Sequence, residues 1–324
     1  MRKPALRWHN SVLIVTLTLN PAIDRIINVD RLAFEDRAYI NSSRESAGGR
    51  GINASSVIHS FGGETLAVLI AGGENGRRLE ALLSAAGLKA AVVPVRSEIR
   101  TNLTITDRHG LTVNLNEAGP ELSKSELASV ERVVRQTLKH AKWLMLCGSI
   151  PPGVPSSFYA RLIAMAREKK VKTLLHADRE SLHEGIEAHP TVVTPNQQEA
   201  ERLLGRPLLT RTQYLDAAQQ IRSMGAESVA LSLGSRGAVG AFNGGLVEAM
   251  APRIDAVSPI GAGDALSAAF TWASTRKGRP APPEDALRWG VAAGTASARL
   301  PGMNFASLAQ TEEVYRNVEL RRVE

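Results

Sequence analysis

Residues 258 to 271 read Ser-Pro-Ile-Gly-Ala-Gly-Asp-Ala-Leu-Ser-Ala-Ala-Phe-Thr. The small residues predict a tight turn, and the apolar run behind them predicts a helix that begins near Asp264. Gly261, Ala262 and Gly263 leave backbone N–H groups uncovered at the helix N-terminus, where unpaired donors and the helix dipole favour an anion. A phosphoryl group suits that position, and a kinase needs a base such as Asp264 beside it. An ordinary capped helix is the alternative that this segment alone leaves open.

The composition indicates a globular protein with a large core. The chain has 324 residues, of which 44% are apolar. No apolar run approaches the roughly 18 residues of a membrane span. The first ten residues are basic, but the run behind them is too short and too β-branched for a secretory signal, so we expect a cytoplasmic protein. The single cysteine, Cys147, excludes an internal disulfide framework and a cysteine-based metal site.

The net charge of +7 raises the question of a nucleic-acid partner. The basic residues are spread along the chain, aromatic residues make up only 4%, and no nucleic-acid-binding motif is visible. Scattered, solvated lysines and arginines account for most of the charge, and anionic small-molecule substrates also suit a positive field. A nucleic-acid partner is therefore not predicted.

Short β-branched runs alternate with helical patterns, which predicts an α/β fold with a mainly parallel sheet covered by helices on both faces. We predict strands at 12–19, 66–70, 91–95, 143–147, 171–175, 191–193 and 229–233, and helices at 53–61, 77–86, 124–140, 156–169, 197–204 and 213–224. A hairpin follows residue 241, and then two long helices at 264–277 and 283–300. We expect residues 1–10 to be a basic extension and 11–324 to be one domain.

Two regions break this rhythm. Residues from about 25–46 and 99–117 are polar, alternating and strand-like, and they do not fit βα repeats. Such alternation predicts a small, half-buried antiparallel sheet. We call this sheet the lid, because it is expected to cover the ligand site.

A second glycine-rich loop, Ala-Gly-Gly-Arg-Gly-Ile-Asn at 47–53, leads into the predicted helix at 53–61. Its glycines, including Gly48 and Gly49, let the backbone approach a ligand closely. Arg50 offers a planar fork to a phosphate, and Asn53 can both donate to and accept from hydroxyls. The loop lacks the Gly-Lys-Ser/Thr of a Walker A motif.

Further polar residues follow predicted strands. Asn196 and Glu199 lie three apart at a helix start, where they could hold Mg²⁺ through waters or form a capping box, and both interpretations stay open. The segment 232–237, Ser-Leu-Gly-Ser-Arg-Gly, ends a buried strand with the small residues that a nucleotide site needs. Asp24 follows the first strand at its carboxyl end, where open α/β sheets bind ligands.

These motifs resemble those of the PfkB carbohydrate kinases of the ribokinase-like fold, from about residue 12 to residue 320. The C-terminal signature corresponds to Ile260-Gly-Ala-Gly-Asp264, and the N-terminal signature to 47–53. Two further segments are similar to sequences of the branch that phosphorylates phosphosugars. They are Thr-Leu-Thr-Leu-Asn-Pro-Ala-Ile-Asp at 16–24 and Cys-Gly-Ser-Ile-Pro-Pro-Gly at 147–153. That branch comprises the 1-phosphofructokinases, tagatose-6-phosphate kinases and minor 6-phosphofructokinases.

The resemblance implies a ribokinase-like three-layer α/β/α fold with a small β-sheet lid. It also implies ATP and Mg²⁺, with transfer of the γ-phosphoryl group to a ketohexose phosphate. Fructose 1-phosphate is the first expectation for that substrate, followed by fructose 6-phosphate or tagatose 6-phosphate. Lid strands in relatives often pair between subunits, which implies a homodimer.

The resemblance implies a role for each matched residue. Asp264 would be the base, with Gly261, Ala262 and Gly263 as the anion hole for the transferred phosphoryl group. Substrate would contact Asp24, Arg37, Gly48, Gly49, Arg50, Asn53, Arg100 and Ser149, of which Arg100 and Ser149 would meet its existing phosphate. The nucleotide would contact Asn196, Ser232, Gly234, Arg236 and Gly237, and Asn196 and Glu199 would order Mg²⁺.

Three residues depart from the family pattern. Arg50 stands where this branch usually carries lysine, Thr194 where a lysine usually precedes Pro-Asn, and His176 where an aspartate usually stands. If the missing lysine and aspartate formed a pair, their joint loss costs less than stranding one charge. The other hypothesis is that the site has drifted. A kinase for an unphosphorylated sugar or nucleoside, and a phosphosugar-binding regulator without catalysis, are therefore the alternatives.

Overall fold

The computed structural model describes residues 13–33, 35–276 and 280–323. A ten-stranded sheet lies between two layers of helices, and a separate four-stranded sheet forms the lid. The predicted α/β fold is confirmed. The predicted extension at 1–10 lies outside the described residues, so the division of the chain into that extension and one domain stays a prediction.

The strands are β1 (Leu13–Thr18), β2 (Ala22–Val29), β3 (Ile40–Gly48), β4 (Glu64–Ala71), β5 (Ala90–Pro94), β6 (Arg100–Asp107), β7 (Thr112–Asn116), β8 (Ala141–Cys147), β9 (Lys172–His176), β10 (Val192–Val193), β11 (Val229–Ser232), β12 (Ala238–Phe242), β13 (Gly245–Met250) and β14 (Glu319–Val323). The helices are α1 (Arg50–Ser60), α2 (Gly73–Ala85), α3 (Lys124–Thr137), α4 (Phe158–Glu168), α5 (Arg179–Glu187), α6 (Gln197–Leu204), α7 (Arg211–Ser223), α8 (Ala262–Ala273), α9 (Pro283–Ala298) and α10 (Leu308–Tyr315).

The large sheet has the order β14-β13-β12-β11-β10-β9-β8-β1-β4-β5. Seven neighbouring strands of this sheet run parallel: β5, β4, β1, β8, β9, β10 and β11. Strands β12, β13 and β14 are antiparallel additions at the β11 end. Successive residues of a strand point to opposite faces, so β1 places Val15 under α3–α7 and Ile14 under α1 and α8–α10. Both faces are apolar, as a parallel sheet covered on two sides requires.

Most predicted helices and strands of the large sheet are present with ends shifted by a few residues, and α6 has the predicted bounds. The prediction missed α5, α10 and β14. Helix α5 is short, and its buried apolar side chains are only Leu182 and Ile186, too few for a clear helical period. Strand β14 is polar and mostly exposed, and it forms by pairing with the edge of β13.

The lid has the strand order β3-β2-β6-β7. The prediction of a wholly antiparallel sheet was wrong, because β2 and β6 run parallel while β2–β3 and β6–β7 are antiparallel. The reason is that β2 follows β1 and β6 follows β5, so both hairpins leave the carboxyl edge of the large sheet in the same direction.

The two faces of the lid differ in character. Asp24 pairs with Asn102, which pairs with Asn116, so these polar side chains share one face. Ile105 and Val113 pair on the other face, which is apolar. Within the described residues, no helix has both the length and the apolar character needed to cross a membrane.

Candidate active site

Polar side chains from distant parts of the chain meet at the carboxyl edge of the large sheet. They follow or end neighbouring parallel strands: Asn20 after β1, Ser149 after β8, His176 at the end of β9, Asn196 after β10 and Ser232 at the end of β11. Parallel strands carry their carboxyl ends at one edge, which is where open α/β sheets bind ligands. The N-terminus of α8 brings Asp264 to the same place.

Two clefts adjoin there. The polar cleft, of about 450 Å³, is lined by Asp24, Arg50, Asn53, Arg100, Ser149 and Asp264 among others. The apolar cleft, of about 710 Å³, is lined mainly by small and apolar residues such as Ala251, Pro252, Pro259, Val291 and Gly294. Ser232 and Gly263 line both clefts, so the two open onto each other at these residues.

Asp264 is buried, and both of its carboxylate oxygens have a partner. Asn53 Nδ2 donates to Oδ2 at 2.7 Å, and His176 Nε2 bonds to Oδ1 at 3.1 Å. The turn before α8 depends on Gly261, whose φ of +79° lies in the left-handed region. A Cβ at that glycine would also come within 2.9 Å of the Phe305 ring. The carboxylate is therefore held in one position by the turn and by two donors.

The first turn of α8 provides backbone donors beside this carboxylate. The amides of Gly263 and Asp264 lie in that turn, where no intrahelical acceptor exists for them. The amide of Ala262 differs from the sequence expectation, because it already donates to Pro259 O at 3.2 Å. A Cβ at Gly263 would meet only the His176 ring, at 3.8 Å, so packing does not require glycine there. The missing side chain leaves the Gly263 amide open to a ligand.

Asp24 lies on the polar face of the lid, where Asn102 Nδ2 donates to its Oδ1 at 2.8 Å. Burial raises the pKa of Asp24 to about 6, although the hydrogen bond from Asn102 and the charge of Arg100 act in the opposite direction. Gly48 does not line the polar cleft. A Cβ at that position would lie 2.2 Å from the Asp24 carboxyl carbon, so Gly48 makes room for Asp24 instead.

Arg100 is braced by the backbone. Its Nη1 donates to Glu117 O at 2.9 Å, and its Nη2 donates to Asn20 O at 3.0 Å. The side chain of Asn20 donates to Ser149 Oγ at 3.3 Å, which connects the two residues predicted to bind the substrate phosphate. The guanidinium is thus fixed in direction at the polar cleft, which Arg100 lines.

Arg50 forms an ion pair with Glu199, with 3.0 Å between Nη2 and Oε1. Burial opposes the Arg50 charge, but Glu199 and Asp264 more than offset this effect and raise the pKa of the guanidinium. The Glu199 side chain is 1% exposed, so Arg50 compensates a charge that would otherwise be buried alone.

Several buried polar atoms of the polar cleft lack a partner within the described part of the chain. They are Thr18 Oγ1, Asn20 Oδ1, Arg50 Nη1, Arg100 Nε and Asn102 Oδ1. Buried polar atoms are nearly always hydrogen-bonded, so a group of them around one space indicates a site for a polar ligand. The set contains acceptors for hydroxyl hydrogens and cationic donors for an anion.

Asn196 and Glu199 form the capping box of α6. Asn196 Oδ1 accepts from the Glu199 amide at 2.8 Å, and Glu199 Oε2 accepts from the Asn196 amide at 2.9 Å. Both Glu199 oxygens are therefore engaged, one by this amide and one by Arg50, which leaves only further lone pairs. Asn196 lines the polar cleft, but Glu199 lines neither cleft, so of the two predicted Mg²⁺ residues only Asn196 faces the site. Among the residues the structure describes, no cluster of three or more His, Cys, Asp or Glu could bind a metal ion by itself.

The predicted nucleotide residues Ser232, Gly234 and Gly237 line the apolar cleft. Arg236 lines neither cleft, because its guanidinium lies 4.7 Å over the Tyr214 ring and donates to Gln197. Arg37 also lies outside both clefts, exposed in the loop between β2 and β3. Arg236 belongs to the predicted nucleotide segment 232–237, but its contacts with Tyr214 and Gln197 direct its side chain away from that cleft.

Sequence reasoning did not assign several residues of the polar cleft. They are Asn20, Asn102, Asn114, Asn116 and Asp178. Polar residues stand two apart at 102 and 104 and again at 114 and 116. Residues two apart in a strand point to the same face, so this spacing identifies the polar face of the lid. His176 and Thr194 are in contact, with 3.1 Å between Nδ1 and Oγ1. These two positions are therefore close enough to have held an ion pair in relatives, as the pair hypothesis requires.

The raised pKa of Asp24 predicts a pH dependence of stability. Between pH 3.8 and about 6 the folded protein keeps a proton that the unfolded chain releases. The free energy of unfolding therefore decreases as pH rises through this window, and Asp24→Asn removes this contribution. The variant gains about 2 kcal/mol relative to wild type on going from pH 4.5 to pH 7.5.

Urea unfolding of both proteins across this range measures the difference. The control is Asp216→Asn on α7, which changes an exposed carboxylate that pairs with Arg206. Its difference in free energy of unfolding from wild type shows no comparable change with pH. A wild-type-to-variant difference that stays constant with pH contradicts the raised pKa of Asp24.

Known proteins match this chain along nearly all of its length. The model of the pfkB family carbohydrate kinases matches residues 10–310. The ATP-dependent 6-phosphofructokinase isozyme 2 of Mycobacterium tuberculosis is 31% identical, over 93% of this chain and 88% of that protein. The 1-phosphofructokinase of Vibrio cholerae is 24% identical, over 95% of this chain and 96% of that protein. The structure of Escherichia coli phosphofructokinase-2 in complex with fructose-6-phosphate superimposes with a TM-score of 0.87 at 29% identity, covering 95% of this chain and 99% of that chain. This chain therefore belongs to the pfkB family of carbohydrate kinases.

Proposed function

We propose that this kinase transfers the γ-phosphoryl group of ATP to a hydroxyl of a ketohexose phosphate. The observation that carries the proposal is the junction of the two clefts at Ser232 and Gly263, with Asp264 on the polar side of it. The apolar cleft suits a nucleotide base and sugar. The polar cleft suits a substrate with several hydroxyls and one anionic group. A phosphoryl group at the junction would lie beside the carboxylate that we assign as the base.

The transfer needs one proton acceptor and stabilisation of charge. Asp264 accepts the proton of the acceptor hydroxyl as its oxygen attacks the γ-phosphorus, the bond from that phosphorus to the bridging oxygen breaks, and ADP leaves. The base needs no unusual basicity, because the hydroxyl becomes acidic as the new P–O bond forms. The first-turn amides of α8, that of Gly263 among them, stabilise the charge on the transferred group.

The residues of the polar cleft divide between the hydroxyls and the existing phosphate. Asp24, Gly49 and Asn53 are assigned to the sugar hydroxyls. Arg100 and Ser149 are assigned to the phosphate that the substrate already carries, since both line the polar cleft and Arg100 is held in direction by two backbone carbonyls. Arg50 lines the same cleft while its Nη2 stays paired with Glu199.

Asn196 is assigned to the water shell of Mg²⁺, and Glu199 supports it by accepting a hydrogen bond from the Asn196 amide. When bound, the ion neutralises charge on the nucleotide phosphates. Ser232 is bridged to Asn196 in the backbone and connects this region to both clefts.

The first test combines a substrate screen with Asp264→Asn. We expect ADP release with at least one of fructose 1-phosphate, fructose 6-phosphate and tagatose 6-phosphate, and much less with free fructose. Asp264→Asn keeps nucleotide binding but lowers kcat by roughly 10²- to 10⁴-fold, because the proton acceptor is lost. Asp216→Asn on the surface of α7 is the control and leaves kcat unchanged. Turnover of Asp264→Asn near the wild-type rate would falsify the assignment of the base.

The second test concerns the phosphate of the substrate. Arg100→Ala raises KM for the phosphorylated ketohexose by roughly 10- to 100-fold, as the loss of a charge-assisted hydrogen bond predicts, with a smaller effect on kcat. Arg108→Ala, in the turn between β6 and β7, is the matched control in the same lid. Steady-state kinetics and thermal melting separate binding from folding. An unchanged KM, together with better turnover of an unphosphorylated sugar, favours the neutral-sugar alternative.

We also propose that the chain forms a homodimer through the lid. Support comes from large apolar side chains exposed on β7 and the turn before it, with Leu111 56% and Leu115 51% exposed. Burying them against a second copy removes apolar surface from water.

Leu115→Asp is expected to convert a wild-type dimer to a monomer, as measured by size-exclusion chromatography with light scattering. The control is Leu209→Asp, which changes an exposed leucine between α6 and α7, outside the lid, and leaves the dimer intact. A wild-type monomer, or a Leu115→Asp variant of unchanged mass, argues against this interface.

A further inference from the structure

We propose that His176 is a positioning residue for Asp264. We further propose that Thr194, at the other ring nitrogen, lets His176 donate to Asp264 whether the imidazole ring is neutral or protonated. The inference rests on the proposed role of Asp264 as the base. Under this proposal the Nε2–H of His176 holds the carboxylate in the direction of the acceptor hydroxyl. The charge of the ring then controls how readily that carboxylate takes a proton.

The contact between the two side chains has a defined donor. His176 is the last residue of β9 and is buried, and its Nε2 lies 3.1 Å from Asp264 Oδ1. An ionised carboxylate only accepts hydrogen bonds, so Nε2 carries the hydrogen and donates. Asn53 holds the other oxygen at 2.7 Å, so the carboxylate is fixed from two sides. Each oxygen retains lone pairs with which to accept the substrate proton.

The other ring nitrogen faces two groups of opposite kind. Thr194 places its carbonyl oxygen 2.9 Å and its hydroxyl oxygen 3.1 Å from His176 Nδ1. A neutral ring with the hydrogen on Nε2 accepts from the hydroxyl at Nδ1. A protonated ring donates from Nδ1 to the carbonyl. The ring therefore changes charge without moving, and Nε2 donates to Asp264 in both states.

The surroundings keep Thr194 available for this exchange. Its hydroxyl lies 2.9 Å from Ser267 Oγ, and Ser267 in turn donates to Gly263 O at 3.0 Å. The Thr194 hydroxyl can thus donate to His176 when the ring is neutral and to Ser267 when the ring is charged. This chain of contacts joins β9, the end of β10 and the first turn of α8.

The charged groups around His176 come from several elements. The polar cleft holds Asp24, Asp178 and Asp264 against Arg50 and Arg100, and Glu199 is neutralised by Arg50. Cys147 is the neighbour of His176 in register on β8, and burial raises the pKa of its thiol, which stays uncharged.

Protonation of His176 adds a positive charge directly against Asp264. The ion pair that results lowers the capacity of the carboxylate to accept the hydroxyl proton, so kcat falls when the ring is protonated. Histidine changes charge between about pH 5 and 8. Asp24 and the substrate phosphate also titrate near this range, and comparison with a variant that retains both of them removes their effect.

The experiment uses His176→Gln, whose amide keeps a donor towards Asp264 but does not titrate, and His176→Leu, which has no donor. At pH 8 we expect His176→Gln to retain most of the wild-type kcat and His176→Leu to lose roughly 10- to 100-fold, with KM for both substrates little changed. The ratio of wild-type to His176→Gln kcat decreases as the pH is lowered. His189→Gln, which changes an exposed histidine whose Nδ1 bonds a backbone carbonyl, is the control.

Thr194 provides a second, independent measurement. Thr194→Val removes the donor to the neutral ring but keeps the carbonyl for the charged ring, so the histidine-dependent decrease in kcat begins at a higher pH. Thr194→Ser keeps the hydroxyl and leaves this pH unchanged. A flat wild-type-to-His176→Gln ratio, or equal kcat for the Gln and Leu variants, overturns the proposal. Wild-type protein that shows no ADP release with any sugar phosphate overturns instead the proposed function on which it rests.

Discussion

The hydrogen bonds to Asp264 are the interactions on which the rest of the site depends. One comes from Asn53 at the start of α1, 211 residues away in sequence, and the other from His176 at the end of β9, 88 residues away. Both donors reach the carboxylate only when α1, β9 and α8 stand in their native places along one edge of the sheet. The position of the proposed base is thus a property of the whole parallel sheet and not of the turn that contains it.

Charge in this region is arranged so that few ions are buried alone. Glu199 is compensated by Arg50, and Asp24 receives a hydrogen bond from Asn102 near the charge of Arg100. Removing either partner of such a pair leaves a desolvated charge, which is more costly than losing the pair. Buried atoms without a partner in the described residues, such as Arg100 Nε and Asn102 Oδ1, belong to side chains that line the polar cleft.

The local patterns in the sequence were sufficient for much of the fold. Alternating β-branched and helical segments predicted the parallel sheet, because period and turn chemistry act within a few residues. They failed where pairing partners decide the outcome, as in polar β14, and where orientation comes from the large sheet, as in the parallel pairing of β2 with β6. The capping box of Asn196 and Glu199 was visible as a pattern, but the ion pair of Glu199 with Arg50 was not, since it joins α6 to α1.

By itself, the sequence determined the family, the αβ alternation and the Gly-Ala-Gly-Asp turn that begins α8, because glycine spacing, apolar period and capping are local properties of the chain. Tertiary structure alone decided which side chains meet that turn. It brought His176 and Asn53 to Asp264, and it placed the Arg236 guanidinium over the Tyr214 ring, away from both clefts. The physical reason is that hydrogen bonds act over about 3 Å, and which groups come that close across hundreds of residues is settled by strand order and packing.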